Sequence, residues 1–203
     1  MSSWRVGLGG SDHEFSAALI CDQDLRVAVE QERLTRRKHG VTLWYEDPLK
    51  ASIEYCLEAE GVELADIRKF VSSDVLPARV RHDFRNLPLT LFPHHLCHAA
   101  SAYLMLPYGT KAAVLVYDGY GSIRGAGTSA LRNRRETFSF FLFDENGYRA
   151  IGQTTGEGFI EQDDFEIGVT NSVGVLYELV TSLLGYEPMD SGNADLKLCE
   201  AAM

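Results

Sequence analysis

The 203-residue sequence lacks the features that direct a chain to a membrane or an oxidising compartment. No apolar run approaches the roughly 20 residues of a membrane span, and the first residues show no signal-peptide core. The four cysteines form no Cys-x-x-Cys pair, and such isolated cysteines are typical of free thiols in a reducing compartment. These absences predict a cytoplasmic protein with no membrane partner.

Positive charge is also scarce, with 19 lysines and arginines against 29 acidic residues and a net charge of −10. A general nucleic-acid surface is normally basic, so this composition argues against nucleic acid as a partner. The exception is the basic segment at residues 32–39, which fits an anionic ligand and a solvated turn equally well. The 45% hydrophobic content is enough for one sizeable core or two small lobes.

A pattern of strand, glycine turn and hairpin strands occurs twice, at residues 6–30 and 112–143. This internal similarity predicts an α/β fold, a duplicated lobe of the RNase H-like or actin–sugar-kinase type with mixed sheets and flanking helices. The predicted strands are 6–10, 16–21, 25–30, 67–72, 112–117, 127–131 and 138–143, and the predicted helices are about 47–59, 98–105 and 171–184.

Three histidines fall within five residues, at His94, His95 and His98. On a helix, His94 and His98 share one face and can ligate one metal ion, whereas His95 points roughly 100° away. Asp118 follows the apolar run at residues 112–117. Two neutral imidazoles and a carboxylate leave positions open on an ion, which suits a catalytic site. The alternative is a capped helix with solvated histidines.

Two pairs of glycines lie at the ends of predicted strands. Gly9 and Gly10 end the first strand, and Gly119 and Gly121 follow Asp118. Glycine lets backbone N–H groups approach a phosphate closely, so these four residues are predicted to contact a nucleotide. An ordinary tight turn is the alternative for each pair.

Five segments resemble, in order, the N-terminal part of the NodU/CmcH-type O-carbamoyltransferases, which modify nodulation factors and antibiotics. The segments are DHEFSAA at 12–18, ERLTRRKH at 32–39, HHLCHAASA at 94–102, DGYG at 118–121 and NSVGVLY at 171–177. The resemblance implies that residues 1–192 are the N-terminal part of a domain similar to the tRNA threonylcarbamoyl-transfer domain. Residues 193–203 are expected to be a divergent tail, the fold to be incomplete at its C-terminus, and the YrdC-like C-terminal domain to be absent.

The resemblance also implies a reaction that uses carbamoyl phosphate and ATP, with a carbamoyl-adenylate intermediate and a hydroxyl acceptor on a small molecule or sugar. It implies a divalent metal, often Fe²⁺, held by His94, His98 and Asp118. His13 and Lys38 correspond to the pair around the carbamoyl group and the acceptor hydroxyl. A base such as His13 helps a hydroxyl to attack, and Lys38 or the metal stabilises the oxyanion that forms.

Two further expectations concern partners. A separate YrdC-like chain is the expected partner if the enzyme is split, and the exposed edge of an incomplete fold favours a homo-oligomer. The alternative function is a non-catalytic module that binds metal or nucleotide and acts only with a partner chain.

Overall fold

The computed structural model describes residues 3–10, 15–36, 50–125, 134–160 and 167–185. These residues form two compact units, the first ending at Phe92 and the second beginning at Pro93. Within the described ranges, no helix is both long enough and apolar enough to span a bilayer. The predicted strand at 127–131, the predicted helix start at 47–49 and the tail at 193–203 lie outside the described residues.

The first unit is built on a five-stranded sheet with the order β3-β2-β1-β4-β5. Within it, β2 runs antiparallel to both of its neighbours, whereas β4 and β5 are parallel to β1. This order and these directions are those of an RNase H-like lobe, which confirms the predicted fold class. The strands are β1 (Trp4–Gly10), β2 (Phe15–Cys21), β3 (Asp24–Glu30), β4 (Ile67–Ser73) and β5 (Leu89–Phe92).

Helices α1 (Gln31–Thr35), α2 (Lys50–Glu60) and α3 (Ala78–Asp83) belong to this unit. Side chains alternate between the two faces of a strand, so every second residue of β1 and β2 enters the core. The buried apolar residues of this core are Val6, Leu8, Phe15, Ala17, Leu19, Ile53, Cys56, Leu57, Ile67, Phe70, Leu76, Val80 and Phe84.

The cysteines agree with the expectation of free thiols, since the three that the structure describes form no disulfide. Cys56 is fully buried and its thiol donates a hydrogen bond to the Ala17 carbonyl oxygen, 3.6 Å away. Burial raises the pKa of the Cys56 thiol, although a hydrogen bond from the Leu19 backbone opposes that rise. Cys56 is therefore a protonated core residue.

The second unit is built on a sheet with the order β10-β9-β8-β6, and β7 also pairs with β8. Strands β6, β8 and β9 are antiparallel neighbours, as β1, β2 and β3 are, so an antiparallel meander recurs in the second unit, although its third strand, β9, lies beyond the predicted repeat at 112–143. The strands are β6 (Ala112–Tyr117), β7 (Ile123–Gly125), β8 (Arg134–Asp144), β9 (Gly147–Ile160) and β10 (Ile167–Val169).

Two helices complete the second unit, α4 (His94–Leu104) and α5 (Val173–Leu183). Helix α4 packs on β6 and β8, and its Tyr103 ring stacks on Phe143 with centroids 4.6 Å apart. The buried apolar residues are Leu96, Ala99, Val116, Phe141 and Phe143. One face of α4 packs in this core. The adjacent face, which carries His98 and Ala102, lies beside the end of β6.

Candidate metal centre

Helix α4 carries two of the three predicted metal ligands. It begins at His94, directly after Pro93, whose backbone is still extended with φ −54° and ψ 138°. Because His94 and His98 are one helical turn apart, their rings meet edge to face, with centroids 4.5 Å apart and planes inclined at 77°. The Nε2 atoms of the two rings are 3.1 Å apart. The structure therefore places the two histidines on one face of the helix, as predicted.

Asp118 reaches the same point from the end of β6. Its Oδ1 atom accepts a hydrogen bond of 2.7 Å from the Gly119 N–H, which orients the carboxylate. The Oδ2 atom lies 3.0 Å from His94 Nε2 and 3.6 Å from His98 Nε2. One ligand atom from each of the three residues lies within 4.8 Å of the other two. The structure thus brings together the three residues that the sequence singled out as metal ligands.

The electrostatics of the cluster keep Asp118 ionised. Burial alone would raise the pKa of the Asp118 carboxyl, but hydrogen bonds and charge interactions with His94 and His98 hold that pKa well below its usual range. The Asp118 side chain is 31% exposed and that of His98 54%, so the cluster is open on one side. The ionised carboxylate is the form of Asp118 that a metal ion binds.

A pocket of about 230 Å³ borders the open side of the cluster. His98, Asp118 and Ala102 line it together with residues 114–117 of β6. A small molecule placed there would lie next to the ligand atoms of the cluster.

His95 belongs to the interior and not to the metal cluster. It is fully buried, and its Nδ1 atom lies 2.8 Å from Ser139 Oγ on β8. Burial lowers the pKa of His95, which favours the neutral ring, although Glu136 and Asp118 oppose this shift. Its Nε2 atom has no hydrogen-bond partner among the described residues. The alternative prediction, that these histidines are solvated, is therefore wrong for His95.

The four predicted nucleotide-binding glycines have different surroundings. Gly9 and Gly10 lie inside β1 and not in a turn after it, and a Cβ on Gly10 would come within 2.7 Å of the Phe15 ring. A Cβ on Gly121 would come within 2.8 Å of both His95 Nε2 and Glu136 Oε2, whereas one on Gly119 would meet nothing within 4 Å. Close packing thus accounts for glycine at positions 10 and 121, and nucleotide contact remains a prediction for all four.

His13 and Lys38, the predicted catalytic pair, lie outside the described residues. Their roles remain predictions.

A buried polar group lies behind α4 and was not among the site residues that the sequence predicts. Glu136 on β8 is fully buried, as are Ser122 and Ser139, and Gln153 on β9 donates a hydrogen bond of 2.6 Å to Glu136 Oε1. The signal in the sequence was an acidic residue near the start of a strand rich in phenylalanine, RETFSFFLF. A charged residue in such a run is rarely buried unless it is paired, and Arg124 supplies that pair.

The family of the chain follows from a comparison with known protein families. The family described as carbamoyltransferase N-terminus matches residues 73–199, which include the whole metal cluster. The match covers more than half of the chain. The chain belongs to the carbamoyltransferase N-terminal family.

Individual relatives share parts of the sequence. Nodulation protein NolNO of Sinorhizobium fredii is 28% identical over 165 residues, which is 66% of this chain and 23% of that protein. An uncharacterized protein of Methanocaldococcus jannaschii is 34% identical over 110 residues, 53% of this chain and 16% of that one. The chain thus aligns with less than a quarter of the length of these two relatives.

Among solved structures, YeaZ from Pseudomonas aeruginosa is similar with a TM-score of 0.46 and 12% identity. The similarity covers 75% of this chain and 67% of that one.

Proposed function

We propose that the chain is the N-terminal part of an O-carbamoyltransferase. The reaction transfers a carbamoyl group from carbamoyl phosphate, through carbamoyl-adenylate, to a hydroxyl group of a small-molecule or sugar acceptor. The observation that carries the proposal is the convergence of His94, His98 and Asp118 within 4.8 Å, inside the segment that matches the carbamoyltransferase family.

The donor set of this cluster fits a divalent transition metal. Two imidazole nitrogens and one carboxylate oxygen are ligands suited to Fe²⁺ or a similar ion, and three protein ligands leave positions for substrate oxygens. His94, His98 and Asp118 would hold the ion. When bound, it would polarise a substrate oxygen and offset the negative charge that develops there.

The contribution of the chain itself is to prepare these ligands. Gly119 holds one carboxylate oxygen of Asp118, so that the other faces the histidines. Helix α4 fixes the spacing of His94 and His98 through one turn of backbone. The pocket beside His98 gives an acceptor or a nucleotide access to the cluster.

The transfer step is assigned to residues that the sequence resemblance identifies. The acceptor oxygen forms a bond to the carbamoyl carbon, the bond from that carbon to the adenylate oxygen breaks, and AMP leaves. His13 takes the proton of the acceptor hydroxyl, because a hydroxyl group has too high a pKa to attack unaided. Lys38 stabilises the oxyanion that forms on the carbamoyl group.

Nucleotide binding is assigned to the glycines at positions 9, 10, 119 and 121, whose backbone N–H groups would face ATP or carbamoyl-adenylate. A YrdC-like domain would make the carbamoyl-adenylate.

The proposal is tested by a reconstituted transfer assay. The chain is mixed with a YrdC-like protein, carbamoyl phosphate, ATP, Fe²⁺ and a panel of sugar acceptors, and carbamoylated product is measured by mass spectrometry. Product is expected with the wild type and with His82→Ala, an exposed histidine of the first unit, and is expected to be lost with His98→Ala. His13→Ala is expected to lose transfer while still binding metal. Undiminished product with His98→Ala would contradict the proposal.

A further inference from the structure

The helix that carries His94 and His98 has no N-terminal cap of its own. Its N-cap residue is Pro93, which makes no side-chain hydrogen bond to the first turn. The first N–H groups of a helix have no partner within the helix and need one from elsewhere. Here the His94 N–H donates to Ser122 Oγ at 2.8 Å, and the His95 N–H donates to Glu136 Oε2 at 3.5 Å. The cap of α4 is thus supplied by residues distant in sequence.

Glu136 is the centre of this arrangement. Its side chain is fully buried, and its two oxygens are both occupied. Oε1 accepts hydrogen bonds from Arg124 and from Gln153, and Oε2 accepts a bond of 3.1 Å from the Ser122 N–H in addition to the one from His95. A buried carboxylate with this many donors is stabilised as an anion.

The charge of Glu136 agrees with that geometry. Burial by itself would raise the pKa of the Glu136 carboxyl, but the hydrogen bond from Arg124, the nearby His95, the charge of Arg124 and the hydrogen bond from the Ser122 backbone together lower it. A negative charge at a helix N-terminus also interacts favourably with the helix dipole. Glu136 therefore holds α4 electrostatically as well as by hydrogen bonds.

The bonds of Glu136 join the two segments that carry the metal ligands. Helix α4 carries His94 and His98, and Ser122 lies four residues after Asp118 in the loop that follows β6. Backbone bonds fasten that loop to β8 as well, since Gly121 N–H donates to the Glu136 carbonyl and Glu136 N–H donates to the Ser122 carbonyl. Removing the carboxylate would loosen the helix start and the loop together.

We propose that Glu136 is a positioning residue of the metal cluster, which fixes His94 relative to Asp118 by bonding the start of α4 and the loop at Ser122 to one buried carboxylate. This inference rests on the proposed function only in that the cluster binds a metal. The capping of α4 by Glu136 is a separate consequence that is measurable without metal. Outer groups of this kind typically change metal affinity by about 10- to 100-fold when they are removed.

The test variant is Glu136→Gln, which keeps the size of the side chain, removes its charge and replaces one acceptor oxygen with a donor group. The matched control is Glu145→Gln, which makes the same change at an exposed position in the turn between β8 and β9. Ser122→Ala is a milder variant that removes only the hydroxyl bonded to the His94 N–H. It takes the place of Glu136→Gln if circular dichroism shows that the latter is unfolded.

Two measurements are made on the folded variants. In the absence of metal, amide hydrogen exchange is expected to be slow at His94, His95 and Ser122 in the wild type. Glu136→Gln is expected to speed exchange at His95 and Ser122 by at least about tenfold, because a neutral amide group replaces the carboxylate oxygen that their N–H groups share. In calorimetric titration with Mn²⁺, Glu136→Gln is expected to bind about 10- to 100-fold more weakly than the wild type, and Glu145→Gln equally well.

The outcomes separate this inference from the proposed function. Equal Mn²⁺ affinity of the wild type and of folded Glu136→Gln, or of Ser122→Ala in its place, would overturn the positioning role and leave the metal site intact. Unchanged exchange at His95 and Ser122 in Glu136→Gln would overturn the capping. Absence of Mn²⁺ binding by the wild type would contradict the metal site itself, and with it the positioning role.

Discussion

Gly119 and Gly121 look equivalent in the motif DGYG, but their surroundings differ. A Cβ on Gly121 would lie 2.6 Å from His95 Cδ2 and 2.8 Å from Glu136 Oε2, and both of those side chains are fully buried. A Cβ on Gly119 would meet no atom within 4 Å. Glycine at position 121 is therefore required by packing, whereas glycine at position 119 is not.

Alanine substitution separates these two glycines. Gly121→Ala is expected to destabilise the protein by about 1–3 kcal/mol, because neither buried neighbour can move without breaking its own contacts. Gly119→Ala is expected to change stability by less than about 0.5 kcal/mol. Urea denaturation of the two variants measures the difference. Equal midpoints for Gly121→Ala and the wild type would show that the packing around Gly121 is looser than the structure indicates.

At the scale of elements, α5 supports the loop that carries Asp118. The Ser172 hydroxyl lies 2.9 Å from the Asp118 carbonyl oxygen and 2.7 Å from that of Gly119, and it also accepts a bond from the Val175 N–H. Ser172 thereby caps α5 and ties it to the loop. A Cβ on Gly174 would overlap the backbone nitrogen of Gly119 and lie 2.6 Å from the carbonyl carbon of Asp118. The start of α5 thus packs directly on the backbone that presents the carboxylate.

Gly174→Ala tests this contact. Alanine favours a helix over glycine by about 1 kcal/mol, so on propensity alone the variant would be more stable. The clash with the loop backbone is expected to outweigh this gain, so that Gly174→Ala lowers the free energy of unfolding by about 1–3 kcal/mol. Backbone atoms cannot rotate away from the added methyl group as a side chain can. Urea denaturation measures it, with the half-exposed Val173→Ala as the control on the same helix. Stabilisation by Gly174→Ala would contradict the close packing.

The start of α4 is a helix boundary that the neighbouring residues in the sequence do not predict. Residues 98–105 were predicted as helix, but the helix begins four residues earlier, at His94. No capping side chain precedes His94 in the sequence, since the residue before it is Pro93. The capping hydrogen bonds are accepted by Ser122 and Glu136, which lie 28 and 41 residues from the donors in the sequence. A boundary set by such distant residues has no local signal.

At the scale of the whole molecule, the sequence predicted the meander of β1, β2 and β3 because strand periodicity is local, and in the second unit it predicted β6 and residues 138–143 of β8. Strands β5, β7 and β10 were not predicted, since three or four residues are too few to show a period. Strand β9 was also missed. Its residues from Gly147 to Thr154 are exposed, so no alternation marks them, and its pairing is provided by β8.

In the candidate site, too, the residues marked by local patterns were predicted and the residue defined by long-range contacts was not. His94, His98 and Asp118 were predicted because a helical turn relates the first two and a strand end marks the third. Glu136 was not, because its contacts join segments far apart in the chain. His13 and Lys38 lie outside the described residues, so the catalytic half of the site still rests on sequence resemblance.

The central claim is that His94, His98 and Asp118 bind one divalent ion. The most direct measurement is anaerobic calorimetric titration of Fe²⁺ into the wild type, His98→Ala and His82→Ala. The wild type and His82→Ala are expected to bind one ion per chain with equal affinity, because His82 lies in the first unit and outside the cluster. His98→Ala is expected to bind at least about tenfold more weakly, since one of the three ligands is lost. Equal binding by the wild type and His98→Ala would contradict the claim.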